Sequence, residues 1–298
     1  MGVERGNLAD QAELSGLPPC SVAIKCADDM DIVRCLDSID DPEVAVNAVI
    51  TPSERVEALL RERGVPFVLT EYGNIAKSAQ LSVEAAEHDN VIVMDSDVYF
   101  APGAIRLMRA ALLHSPVVKP ALRFEDDGSY FSRLVAGSRN RYNDVPNKAI
   151  NPGLALRRRE VAARCGELIF NPHIRWTEDA DLNYRLQREG VPVQYVPEAE
   201  VWHGPVSLKH ELRCGFLYGV GKRLSVEHNP DRIAREDPAQ LFRTLTSPAT
   251  YAAALERARQ NGIPATLLAG AWRTLYYAGY YAQKHSQRWT LEEDRARR

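Results

Sequence analysis

Residues 91–97 read V-I-V-M-D-S-D, a continuous apolar run that ends in the two carboxylates of Asp95 and Asp97. Turn-forming residues flank this run, with Asp89-Asn90 before it and Pro102-Gly103 after it. A strand buried on both faces of a parallel sheet has such an unbroken apolar pattern. Ligand sites of open α/β sheets lie just beyond the carboxyl ends of their strands. The segment therefore predicts a buried strand with an acidic end at a ligand site.

Two carboxylates at a strand end suit a hard divalent cation such as Mg²⁺ or Mn²⁺, which prefers oxygen ligands and can leave positions for diphosphate oxygens. The alternative is a solvated turn in which Asp97 bonds only to the local backbone. The strand end alone leaves both interpretations open.

Composition excludes several classes of protein. The net charge is -3 and the pI is near 6.2, which argues against bulk binding of nucleic acid. The five cysteines form no C-x-x-C pair, so we expect free thiols in a reducing cytoplasm rather than a disulfide framework. The first 19 residues are polar and predict a loose tail without a secretory signal. The sequence contains no run of about 18 apolar residues, so no membrane-spanning helix is predicted.

Strand and helix patterns alternate through the first third of the chain. Short apolar runs predict strands at residues 21–24, 44–50, 65–69 and 91–95, and helical spacing predicts helices at 31–39, 54–63 and 75–86. A further helix is predicted at 105–113 and a short strand at 116–120. The alternation predicts an α/β fold with a doubly wound, mainly parallel sheet. Residues 125–148 are polar without a clear period and predict a long irregular loop.

A second acidic cluster follows at residues 177–186, T-E-D-A-D-L-N-Y-R-L, which predicts a helix start capped by Thr177. Leu182 and Leu186 define its buried face. At about 100° per residue, Asp179 lies about 40° from that face and Asp181 about 120°. We therefore expect Asp181 to face solvent and Asp179 to line the cleft, ahead of Glu178, where a half-buried carboxylate can act as a general base.

In their order, six motifs over residues 20–223 resemble the family 2 glycosyltransferases, which have the GT-A fold, a Rossmann-like α/β sheet flanked by helices. They are the opening strand before Asp28 and the segments Y-G-N-I-A-K-S (72–78), V-I-V-M-D-S-D (91–97), N-P-G-L-A-L-R-R (151–158), T-E-D-A-D-L (177–182) and V-W-H-G (201–204). The second strand departs from the family pattern because it runs into Thr51-Pro52 where many relatives carry acidic residues that hold the nucleotide base.

The resemblance implies a role for each matched position. Asp179 would be the catalytic base, Asp95 would contact the ribose or the metal, and Asp97 would bind the metal with His203 as a further ligand. Trp176 and Glu178 would face the acceptor. The nucleotide-sugar contacts implied are Lys25, Asp28, Lys77, Asp95, Ser96, Asp97, Lys222 and Arg223.

Two features of the tail complete the prediction. Residues 207–223 contain basic side chains, among them Lys222 and Arg223, beside Gly215, Gly219 and Gly221, and resemble a glycine-hinged lid that closes over a diphosphate. Residues 265–283 place an apolar stripe on one helix face, which predicts core packing, a dimer contact or a membrane-interface contact. The stripe comprises Leu268, Trp272, Leu275, Tyr276 and Gly279.

We therefore predict a tail (1–19), a GT-A nucleotide-sugar-binding and catalytic domain (20–205) and a C-terminal helical region with the candidate lid (206–298). The expected activity is Mn²⁺- or Mg²⁺-dependent transfer of a hexosyl unit from a nucleotide diphosphate sugar, UDP-sugar favoured, to an acceptor hydroxyl with inversion. A retaining enzyme of the same fold and a non-catalytic nucleotide-sugar binder are the alternatives. We expect a cytoplasmic protein, with peripheral membrane association as an option.

Overall fold

The computed structural model of the chain describes residues 16–229, 231 and 262–285, with isolated residues between 247 and 259. The strands in these residues are β1 (Cys20–Cys26), β2 (Val44–Ile50), β3 (Phe67–Leu69), β4 (Asn90–Asp95), β5 (Val98–Phe100), β6 (Val117–Phe124), β7 (Leu154–Arg157) and β8 (Val193–His203). The helices are α1 (Ile32–Asp37), α2 (Glu54–Glu62), α3 (Ile75–Glu84), α4 (Ala104–Ala111), α5 (Tyr130–Asn143), α6 (Arg158–Cys165), α7 (Glu178–Arg188), α8 (Leu208–His228) and α9 (Ile263–His285).

The eight strands form one sheet in the order β3-β2-β1-β4-β7-β6-β8-β5. The neighbours β3-β2, β2-β1, β1-β4 and β6-β8 run parallel, whereas β4-β7, β7-β6 and β8-β5 run antiparallel. Parallel pairing dominates the first half, where short strands alternate with crossover helices, because a parallel connection needs a crossover of that length. The predicted α/β sheet, flanked by helices and followed by a helical extension, is confirmed.

The core explains why the central strands read as continuous apolar runs. β1 is buried at all seven positions, and Val91 to Met94 are fully buried in β4. Sheets covered by helices on both faces need this pattern. Phe170, Leu182 and Leu186 pack with Val93 and Leu154 in one apolar cluster. This cluster fixes the start of α7 relative to the ends of β1 and β4.

Two local predictions are wrong. The segment predicted to be irregular contains the 14-residue helix α5, whose polar sequence has little periodicity for a pattern search to find. β6 continues to Phe124 rather than stopping at residue 120. β8 runs from Val193 to His203, and the three residues between Val196 and Glu200 form an irregularity beside Pro120 and Ala121.

The chain divides into two compact units. One comprises the described residues up to Asp126 together with Arg139–Pro205 and holds the whole sheet. The other comprises Asp127–Ser138 and the described residues from Val206 on, and its main feature is the α8–α9 helical pair. Each unit therefore has packing of its own.

Within the helical pair, glycines allow the two backbones to approach closely. A Cβ at Gly219 would lie 1.8 Å from the Tyr276 carbonyl oxygen, and a Cβ at Gly279 would lie 2.0 Å from the Phe216 carbonyl oxygen. Gly219 lies inside the continuous 21-residue helix α8. The expected glycine hinge is therefore wrong at this position, since the glycine permits close helix packing instead.

The predicted C-terminal stripe lies at this same interface. Trp272 stacks on Tyr276 with a centroid distance of 5.6 Å and meets Tyr218 of α8 edge-on at 6.1 Å. These contacts bear out the packing interpretation of the stripe. Within the described part of the chain, no helix is both long and apolar enough to cross a bilayer.

The predicted tail falls mostly outside the described residues. The carbonyl groups of Leu17 and Pro18 accept hydrogen bonds from the buried guanidinium of Arg109, which also pairs with Asp41 at 2.5 Å. Residues 16–19 are therefore anchored to α4, while residues 1–15 are not described.

Candidate active site

Lys25 and Asp95 meet at the ends of β1 and β4. These parallel strands pair Lys25 with Asp95 in register, and the Ser96 N–H donates to the Lys25 carbonyl oxygen at 2.9 Å. The Lys25 Nζ lies 2.8 Å from Asp95 Oδ1 and is 6% exposed, whereas the Asp95 side chain is 33% exposed. The pairing places a buried ammonium behind a carboxylate that remains open at the carboxyl edge of the sheet.

The start of α7 adds a second carboxylate to the same ammonium. Glu178 is buried, and its Oε1 lies 3.4 Å from Lys25 Nζ. Thr177 occupies the N-cap position but makes no capping hydrogen bond, so the predicted side-chain cap is wrong. Burial alone would lower the pKa of Lys25, but Asp95 and Glu178 raise it, so the side chain is an ammonium. We predicted that Glu178 faces the acceptor, and the structure pairs it with the Lys25 ammonium.

Asp179 is half-buried and held by two backbone N–H groups. Its Oδ2 accepts from the Asn151 N–H at 3.2 Å, and its Oδ1 accepts from the Ala180 N–H at 2.7 Å. Desolvation, with a further contribution from the Glu178 charge, raises the pKa of Asp179 to about 7, against the opposing effects of the two N–H groups and Lys25. A carboxyl group that titrates near neutral pH suits a general acid or base.

Asn151 links these groups, although we predicted no role for it beyond its place in the N-P-G segment. With the amide oxygen toward Lys25, that oxygen accepts from Nζ at 2.9 Å and the amide nitrogen donates to the Val93 carbonyl oxygen at 3.0 Å. Gly153 holds this loop against the sheet at φ 88°, where a Cβ would lie 2.8 Å from Pro120 Cγ. Glycine is required there, because a side chain would displace the loop that carries Asn151.

Asp97 and His203 form a separate pair at the β5–β8 ladder. β5 and β8 are antiparallel and pair Val98 with His203, which brings His203 Nε2 within 3.3 Å of Asp97 Oδ2. Phe124 stacks on the imidazole with a centroid distance of 4.6 Å. His203 Nδ1 lies 2.8 Å from the Gly204 carbonyl oxygen and therefore carries the proton of that hydrogen bond. Nε2 consequently faces the Asp97 carboxylate.

Desolvation raises the pKa of Asp97, as do the nearby charges of Asp95 and Asp29, while His203 opposes the shift. The described residues contain no group of three or more His, Cys, Asp or Glu side chains arranged to hold a metal ion. Asp97 and His203 are thus a two-ligand candidate. The Asp95 carboxylate pairs with Lys25 rather than with Asp97 and His203.

Two predicted nucleotide contacts have partners elsewhere at the sheet edge. Asp28 is exposed and accepts from Ser53 and from Arg55 Nε at 2.8 Å, and the pKa of its carboxyl is lowered by these hydrogen bonds. Lys77 pairs with Glu71 at 3.1 Å. Asp28 follows β1 and Lys77 lies in α3, and their contact with the donor stays a prediction.

The remaining predicted contacts divide between the two units. Ser96 donates to Asp29 Oδ2 at 3.2 Å, and Trp176 is half-buried before α7. Lys222 and Arg223 lie on α8 in the helical unit, where Arg223 Nε pairs with Glu227 at 2.7 Å. Their role at the donor stays a prediction.

A second prediction about α7 is also wrong. Asp181 is buried at 1% exposure, and its Oδ2 accepts from Arg185 Nε at 2.9 Å. The same guanidinium donates to the carbonyl oxygens of Cys165, Leu168 and Ile169. Asp181 therefore neutralises an arginine that fastens the loop before α7, and this is a structural role.

Sequence reasoning also missed a cluster beside His203. The guanidinium of Arg34 lies over the Tyr99 ring at 3.6 Å and donates two hydrogen bonds of 3.0 Å to Glu125, which also accepts from the Tyr99 hydroxyl. The Glu125 N–H donates to the His203 carbonyl oxygen at 2.9 Å. These residues come from α1, β5 and the end of β6, so no local signal could have identified them.

No family model and no curated protein matches the chain. A solved structure does match: the crystal structure of GalNAc-T7 with UDP, GalNAc and Mn²⁺, at 14% identity and a TM-score of 0.51 over 70% of this chain. The chain covers 51% of the length of that solved protein. This likeness supports the GT-A glycosyltransferase fold for this chain.

Proposed function

We propose that this protein is a glycosyltransferase that moves a sugar from a nucleotide diphosphate sugar to an acceptor hydroxyl. The observation that carries the proposal is the charged cluster of Lys25, Asp95 and Glu178 at the carboxyl ends of β1 and β4, with Asp179 beside it. Open α/β sheets bind their ligands at such strand ends. The six sequence motifs that resemble the family 2 glycosyltransferases further favour membership of that family.

On the donor side, Asp95 keeps an open carboxylate while Lys25 holds it from behind. A carboxylate beyond a β-strand can accept hydrogen bonds from the hydroxyl groups of a ribose. The fold neighbour was crystallised with UDP. We therefore favour a UDP-sugar as the donor and a hexose as the transferred unit.

The residues present fit a divalent cation at Asp97 and His203. A carboxylate oxygen and an imidazole nitrogen in the correct tautomer face each other across 3.3 Å. Sites for Mg²⁺ commonly use one or two protein ligands plus substrate phosphates and water. The neighbouring crystal structure contains Mn²⁺. When bound, such a cation would offset the negative charge of the diphosphate.

In the transfer, Asp179 accepts the proton of the acceptor hydroxyl while the acceptor oxygen forms its bond to the anomeric carbon. The bond from that carbon to the diphosphate breaks, and the electron pair leaves with the diphosphate. The two N–H groups on Asp179 fix the orientation of its carboxylate. Direct attack from the opposite face inverts the anomeric centre, and Trp176 and neighbouring groups would contact the acceptor.

A retaining transferase is the second candidate, because a GT-A fold does not fix the stereochemical course. NMR of the product separates the two. A binding protein without catalysis is the third candidate, and it predicts that Asp179 is dispensable for every measurable property other than stability.

The test is a thermal-shift screen of nucleotide sugars with and without Mn²⁺. Ligand at 100 times its Kd stabilises the native state by about 2.7 kcal/mol, which raises the Tm by several degrees. Asp97→Ala should remove the Mn²⁺-dependent part of the shift while preserving the fold.

Asp37→Ala is the matched control, because Asp37 is an exposed carboxylate that pairs with Arg63 at 2.7 Å. This variant should respond to donor and Mn²⁺ like the parent. Equal donor binding by the parent after chelation would contradict the metal requirement. No shift with any nucleotide sugar would contradict the proposed function.

A further inference from the structure

Lys25 is a buried cation whose donors are all used. Its ammonium has three N–H groups. They meet Asp95 Oδ1 at 2.8 Å, Glu178 Oε1 at 3.4 Å and the side-chain oxygen of Asn151 at 2.9 Å. The partners come from β4, the start of α7 and the loop before β7. Lys25 therefore joins three segments that are distant in the sequence.

The charges around Lys25 do not balance. Three carboxylates, Asp95, Glu178 and Asp179, lie close to one ammonium, and Lys25 contacts the first two. Asp179 is instead held by the neutral N–H groups of Asn151 and Ala180. A desolvated carboxylate without a cation partner is costly and gains a proton more readily than a paired one.

We propose that Lys25 is a positioning residue that leaves Asp179 to exchange the proton, because its ammonium offsets the charges of Asp95 and Glu178 while Asp179 is held only by neutral N–H groups. The catalytic meaning of this assignment rests on the proposed function. The assignment itself concerns the protein without ligands.

The charged groups that face Asp179 support the assignment. Glu178 on the same helix raises the pKa of Asp179, and Lys25 from β1 lowers it. Removing the ammonium should therefore raise the midpoint at which Asp179 titrates. Removing the Glu178 charge should lower it, because a neighbouring carboxylate opposes ionisation.

The experiment follows the titration of the Asp179 carboxyl carbon by NMR in the ligand-free full chain, with Asp179→Asn to assign the signal. Lys25→Met should raise the midpoint by about one unit or more. Glu178→Gln should lower it, and the Lys25→Met/Glu178→Gln double variant should return it toward the parent value.

Lys119→Met is the matched control. Lys119 is also buried, but its Nζ donates to the backbone carbonyl oxygens of Asn143 and Val145. This variant removes a buried ammonium that has no role in the Lys25 cluster. It should lose stability while leaving the Asp179 midpoint unchanged.

An unchanged midpoint in Lys25→Met overturns the proposal, and so does an equal shift in Lys119→Met. If Lys25→Met does not fold, the double variant is compared with Glu178→Gln, and its midpoint should be the higher of the two. An equal midpoint in that comparison also overturns it. Because no donor is present, a parent without transferase activity would refute the proposed function and leave this result standing.

Discussion

Replacing Asp179 by Asn separates catalysis from binding. Asn keeps the shape of the side chain but cannot accept the acceptor proton. We expect kcat to fall by on the order of 10²–10⁴-fold while donor affinity stays within a few-fold of the parent value. Asp181→Asn should reduce kcat much less, since Asp181 is buried on Arg185.

The structure also predicts the effect of Asp179→Asn on stability. The amide keeps one oxygen for an N–H donor but turns its NH₂ group toward the other, which costs about 0.5–1.5 kcal/mol. The opposing effect is electrostatic. Because the folded-state pKa of Asp179 is raised, the native state loses stability as the pH rises from the unfolded-state pKa near 4 to about 7. The neutral variant escapes that loss, so its Tm at pH 8 should match or exceed that of the parent.

The pH profile provides the sharpest assay. A base with a pKa of about 7 must be ionised to act, so kcat of the parent should rise about tenfold per pH unit below 7 and level off above it. Release of the nucleoside diphosphate can be followed with water or a candidate acceptor. The residual rate of Asp179→Asn should lack this dependence.

Two results would refute the assignment of the base. One is near-parent turnover in Asp179→Asn. The other is a loss carried entirely by Glu178→Gln, whose side chain the structure pairs with Lys25. Either result would favour the retaining alternative.

Two further predictions concern stability and need only thermal unfolding. Gly279→Ala should lower the free energy of unfolding by at least about 1–3 kcal/mol, because the new Cβ would collide with the facing helix. At the control position Gly270, no described atom lies within 4 Å of the new Cβ, so Gly270→Ala should raise that free energy by about 0.5–1 kcal/mol. Equal effects of the two substitutions would contradict the packing role of Gly279. Arg185→Met should cost about 3–5 kcal/mol because it leaves Asp181 buried without this cation, and a loss no greater than that of the exposed Arg188→Met would show that the guanidinium does not fasten the loop.

Local patterns predicted the sheet because its first half follows local rules. Each of β1 to β4 is a short apolar run between turn residues, and each crossover helix has an apolar stripe or an end signal such as Gly64, which has φ 66°. The sequence pattern did not predict helix α5, because its sequence is polar and it has few buried apolar positions, among them Val135 and Ala136. Its ends are set by tertiary partners such as Lys119, which binds the carbonyl oxygen of Asn143.

The sequence indicated most of the residues of the candidate site but not which of their side chains contact one another. The acidic strand end, the Glu178-Asp179 pair and His203 are visible in the sequence. That Lys25 binds Asp95 depends on the register of β1 against β4, which a single sequence does not specify. Asp181 was wrongly predicted to face solvent for a related reason. Helical periodicity locates apolar faces and cannot anticipate a carboxylate that is buried against an arginine on the next turn.

The β5–β8 ladder that carries Asp97 and His203 has a consequence for affinity. The Gly204 N–H donates to the Asp97 carbonyl oxygen at 3.3 Å, so backbone contacts brace both residues. A binding site that exists in only a fraction of molecules loses apparent affinity in proportion to that fraction. Here the ladder holds the backbone of both residues in place, and the Phe124 ring stacks on the imidazole. A cation that binds this pair would meet two protein ligands on backbone that is already ordered, so less of its binding free energy would be spent on ordering that backbone.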